Sequence, residues 1–132
     1  MAKQILYKQE AREALKRGLD AVVDCVKITI GPKGRNVVID RGYEPIIAND
    51  AGTIAKEIIL KDKTENIGAQ LIKSVIQKTS EKVGGGRTAS AILTQALVEE
   101  GMKQLDKGMN ITLIKKGMQL ACKDIVENLK KI

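Results

Sequence analysis

Three short stretches of this sequence carry residue types that can do chemistry. "TIGPKGRN", Thr29 to Asn36, runs a helical pattern into a Gly-Pro turn flanked by Lys33 and Arg35. "GGGRT", Gly84 to Thr88, places three glycines immediately before a second helical pattern. Glycine-rich turns at helix starts can hold phosphate, because unblocked backbone N–H groups converge there. Between them, "ANDAG" supplies Asp50, a carboxylate next to a glycine turn near the hairpin. Neither glycine turn matches the spacing of a Walker loop or a dinucleotide fingerprint, so each alone reads equally as a helix cap or a loop.

The elements that must position these turns follow from periodicity. Ala11, Ala14, Leu15, Gly18, Val22, Cys25, Val26 and Thr29 recur every three or four residues, one stripe of a long helix from about Gln9 that "GPKG" ends. "RNVVID" and "EPIIAN" read as two strands of a hairpin around Arg41-Gly42-Tyr43. Asp50 caps a short helix over 52–60, and a long helix after "KDKTEN" carries Ile67, Leu71, Ile72, Val75 and Ile76 on one side. The next helix spans Arg87 to Asp106, with Ile92, Leu93, Ala96, Leu97 and Leu105 facing inward. Asn110 or Thr112 caps a last helix striped by Ile114, Met118, Ala121, Ile125, Leu129 and Ile132. Residues 3–7 read as a lone N-terminal strand. A lone strand and a projecting hairpin are edges that another chain tends to complete.

Composition narrows the function classes. There is no histidine, which removes Ser–His and Cys–His catalysis and most zinc chemistry. Tyr7 and Tyr43 are the only aromatic residues, too few for a reader of single-stranded nucleic acid built on stacking. The net charge of +7 is spread along the chain, which favours a solvated mixed-charge surface over a nucleic-acid or membrane patch. Cys25 and Cys122 lie within helical apolar patterns and read as small buried thiols. With no signal-like apolar start and no long apolar run, the expectation is a soluble cytoplasmic protein without nucleic-acid or membrane partners.

The order of these elements is more specific than any one of them. "VKITIGPKGRNVVID", "TENIGAQLIKSV", the glycine turn and "TASAILTQALVEEGMKQLDKGMN" resemble the group I chaperonins, the GroEL family, from near Lys3 to Ile132. The resemblance implies a mainly α fold: the long-helix bundle of the chaperonin equatorial domain, with a β-hairpin and a short N-terminal strand. Residues 1–132 would be the N-terminal half of that domain, which binds nucleotide and makes ring contacts. The apical, intermediate and second equatorial parts would be absent. It also implies ATP with Mg2+ and K+, and assembly with chaperonin subunits through residues 3–7 and 36–49. Unfolded proteins and a co-chaperonin would be partners only in a full-length context.

Carried over position by position, the resemblance puts nucleotide contacts at Thr29, Ile30, Gly31, Pro32 and Asn49, and again at Gly85, Gly86, Arg87, Thr88 and Ala89. Asp50 falls on the aspartate that assists hydrolysis, with Ala51 where a glycine is usual. The departures are chemical. The family's Gly-Asp-Gly-Thr-Thr-Thr loop is here Gly84-Gly85-Gly86-Arg87-Thr88-Ala89, so the magnesium-binding aspartate is Gly85 and two hydroxyls are gone. A hard cation needs oxygen ligands, which glycine's side chain lacks, whereas arginine pairs with phosphate oxygens directly. The expected function is therefore an ATP-binding chaperonin segment with impaired metal-dependent hydrolysis, which leaves its standing as an enzyme open. The other reading is a truncated, non-enzymatic helical module that associates with chaperonin subunits.

Overall fold

The computed structural model describes residues 5–132 and is mainly helical. The helices are α1 (Lys8–Lys27), α2 (Ala51–Glu57), α3 (Lys63–Val83), α4 (Arg87–Asp106) and α5 (Ile111–Leu129). A two-stranded antiparallel hairpin, β1 (Val37–Ile39) and β2 (Ile46–Ala48), lies between α1 and α2. Val37 faces Ala48 and Ile39 faces Ile46 across it, which centres the turn on the expected residues. The chain divides into two compact units, Met1–Ala96 and Leu97–Ile132, with the boundary inside α4.

Caps fix where helices begin. Asp50 accepts from the Thr53 N–H to start α2, Asp62 from Thr64 and Glu65 to start α3, and Asn110 from Thr112 to start α5. Such a cap satisfies backbone donors that have no partner inside the helix. For α5 the cap is Asn110 and not Thr112. Gly84, at φ 72°, ends α3 in the left-handed region where a side chain is strained.

The core of the first unit is the α1–α3 pair. Val22, Val23 and Val26 of α1 and Ile72 and Ala69 of α3 are fully buried. Two glycines let the helix backbones approach: a Cβ at Gly18 would sit 1.7 Å from the Glu65 carbonyl oxygen, and one at Gly68 2.0 Å from that of Leu15. Ile54 and Ala55 of α2 join this core. An Arg41–Glu57 fork, with Nε donating at 3.2 Å, ties the hairpin turn to α2. The Arg41 hydrogen bond holds the Glu57 carboxyl below its ordinary range.

Several expected faces differ. On α3 the buried side is Gly68, Ala69, Ile72 and Ile76, while Ile67 and Leu71 point outward at 55% and 56% exposure. The apolar stripe is wider than the strip α1 covers, so its flank stays wet. On α4 Ala91 is buried, whereas Leu93, Ala96 and Leu97 are exposed. No residue of α5 is buried, and its stripe lies open to solvent apart from half-buried Ile114. Both cysteines are exposed. Of the expected N-terminal strand, Lys3 and Gln4 lie outside the described residues. Ile5 to Tyr7 form no strand, and Tyr7 has extended backbone leading into α1.

Candidate functional site

The first unit brings the three sequence stretches together. Thr29, just past the end of α1, donates its hydroxyl to the Val26 carbonyl at 2.7 Å. Its oxygen lies 3.4 Å from the Thr88 hydroxyl in the first turn of α4. Since the Thr29 proton is committed to Val26, Thr88 is the donor of that contact. Ile30, Gly31 and Pro32 continue from Thr29 as an exposed turn, with Gly31 at φ 74°.

Thr88 also lines an open pocket of about 240 Å³, together with Asn49, Asp50, Ala51, Gly84, Gly85, Gly86 and Arg87. Gly86 accepts the first hydrogen bond of α4, from the Ser90 N–H. Having no side chain, it leaves the first-turn N–H groups of α4 without a side-chain cap of its own. Gly84 and Gly86 both have positive φ, which glycine tolerates without strain. Gly85 does not, and a Cβ built there meets nothing within 4 Å. Its lack of a side chain is not demanded by space. Ala89 is exposed in the first turn of α4.

One interaction dominates the electrostatics. Arg87 Nη1 donates to Asp50 Oδ1 at 2.5 Å, while Asp50 Oδ2 accepts from the Thr53 N–H at 2.8 Å and its hydroxyl at 3.1 Å. Partial burial pushes the Asp50 carboxyl up, but the Thr53 and Arg87 hydrogen bonds outweigh it and hold the group below its ordinary value. A carboxylate stabilised in its charged form is a weak base. Gly52 makes room for the pair: a Cβ there would come within 3.1 Å of Asp50 Oδ2 and 3.3 Å of Arg87 Nη1. Arg87 Nε is buried and has no hydrogen-bond partner.

The ion pair is also a partition. On its other side a groove of about 540 Å³ runs between α2 and α3, bounded by Asp50 and Arg87 and floored by Lys56, Lys73, Ser74 and Gln77. Lys73 donates to the carbonyl of Ile58 just past the end of α2, and burial lowers its pKa. It is a cap for α2, a role the sequence did not signal.

A family model described as the TCP-1/cpn60 chaperonin family matches residues 22–132. The chain belongs to that family. The match takes in all three stretches. As a chaperonin, this one departs from the resemblance at the ion pair. Asp50 and Arg87 are 37 positions apart, and no local pattern signals that they meet. The only clue was a charge-for-hydroxyl change at Arg87 opposite a lone carboxylate.

Magnesium, which the resemblance implies, does not fit these residues. Asp50 is the one carboxylate lining the glycine-loop cavity, and both its oxygens are engaged. Among the described residues, no cluster of three or more His, Cys, Asp or Glu side chains could hold a metal ion. No helix among them is long and apolar enough to cross a membrane.

Proposed function

We propose that this chaperonin chain is an N-terminal equatorial segment of the group I type that binds ATP in the cytoplasm, with metal-dependent hydrolysis impaired. The observation that carries the reading is the convergence of Asn49, Asp50 and Gly84–Thr88 around one cavity, with Thr29 held 3.4 Å from Thr88 at its edge, at positions the resemblance assigns to nucleotide. The first turn of α4 offers backbone N–H groups to phosphate. Impaired hydrolysis follows from the donor set. Metal clamping of phosphates is much of the catalysis in phosphoryl transfer, and losing it costs about 10²-fold or more in rate. Asp50, held by Arg87, is poorly placed to act as a base.

Assembly with chaperonin subunits through residues 3–7 and 36–49 belongs to the same reading. It is supported by outward-facing Val38 and Ile47 on the hairpin, 68% and 69% exposed. ATP titration alongside hydrolysis, on wild type and on Gly85→Asp/Arg87→Thr, tests the proposal. Binding with negligible turnover in wild type is expected, and rapid magnesium-dependent hydrolysis sinks it.

A second reading, a non-enzymatic module that docks onto chaperonin subunits, is favoured by the open apolar stripe of α5. Co-migration with an intact chaperonin in size exclusion, unaffected by ATP, is its expected signature.

A further inference from the structure

We infer that the glycine-loop site takes a phosphate-bearing ligand without a divalent cation, the Arg87 guanidinium standing where the family relies on a metal ion. This rests on the nucleotide reading and goes beyond impaired hydrolysis, because it fixes what the ligand needs: free ATP or polyphosphate suffices, and the magnesium complex has no advantage over it.

Three observations lead there. The cavity's single carboxylate is engaged at both oxygens, with Oδ1 on Arg87 and Oδ2 on Thr53. A divalent ion brought to Asp50 would have to displace a guanidinium already at 2.5 Å or sit beside it against charge repulsion. Second, Arg87 has donors to spare. Of the five N–H donors of a guanidinium, Nη1 serves Asp50, and Nε is buried with no partner. Phosphate oxygens accept from arginine in paired, charge-assisted hydrogen bonds. Third, the missing ligand is a chemical choice, since space at Gly85 is open and its backbone is unstrained. An aspartate would fit where the sequence has none.

Calorimetric titration of the full chain with ATP and with inorganic tripolyphosphate, each in magnesium and in EDTA, tests this. Wild-type affinity is expected to agree within about twofold between the two buffers. Arg87→Gln is expected to weaken binding at least tenfold in both. Gly85→Asp/Arg87→Thr should make binding magnesium-dependent by tenfold or more, and should bind Mn2+ alone by paramagnetic resonance where wild type does not. Wild-type binding at least tenfold tighter in magnesium overturns this inference and leaves the nucleotide reading standing; so does unchanged binding by Arg87→Gln. No binding in either buffer overturns both. The wild-type comparison needs no variant to fold.

Discussion

The α1–α3 pair and α5 are built from the same kind of sequence and end in opposite states. All three are long amphipathic helices with aliphatic stripes. In α1 and α3, Gly18 and Gly68 let the backbones meet, and Val22, Val26 and Ile72 are fully buried. In α5 nothing is buried, with Ile125 at 59% and Leu129 at 63% exposure. A stripe states that a face wants cover; what covers it is decided elsewhere in the fold. Each fully buried Val or Ile is worth roughly 1.5–3 kcal/mol, so stability should concentrate in the first helix pair.

The largest expected effect breaks that pair. Gly18→Ala must force the Glu65 carbonyl away from a 1.7 Å approach, and should cost about 3 kcal/mol or more, above the usual range for overpacking. Gly117→Ala on α5, where a Cβ meets nothing within 4 Å, should stabilise by about 0.5–1 kcal/mol through helix propensity. Thermal melts followed by circular dichroism read both. Two losses of similar size would mean that α5 is as closely packed as α1.

Truncating one isoleucine in each region sharpens the contrast. Ile72→Ala removes a fully buried side chain and should cost about 2–4 kcal/mol. Ile125→Ala should stay within about 0.5 kcal/mol in urea unfolding. A large loss at Ile125 would reveal a partner on that face in solution.

The smallest effect concerns pH. Because the folded Asp50 carboxyl is held below its ordinary value, its contribution is present above the unfolded value of about 3.9 and fades as pH falls through the lower folded one. Asp50→Asn keeps the cap but loses the ion pair. Wild type should melt higher than this variant from pH 7 to about 5, by under about 1 kcal/mol for so solvent-screened a pair. The gap should shrink below about pH 4. A gap that widens in acid would contradict the assignment.

Much of this was legible in the sequence, for physical reasons. Helix limits followed from local chemistry: the Asp50 cap, the glycines at 84–86 and the break at Gly108 act through their own backbone neighbours. The hairpin turn followed from Gly42, at φ 82°. The outward flank of α3, with Ile67 and Leu71, and the open faces of α4 and α5 were not legible, since periodicity gives a face without its neighbour. Site positions came from the family resemblance, which flagged Gly85 and Arg87 as departures. The Asp50–Arg87 pair was missed because it depends on the tertiary approach of two loops that Gly52 makes room for.

Amide hydrogen exchange with and without saturating ATP tests the central claim most directly, that three separate stretches form one nucleotide site. The account predicts added protection at residues 29–32, 49–52 and 84–89, the same in magnesium and in EDTA, with α5 unchanged. Protection absent from those stretches, or confined to α5, would contradict it.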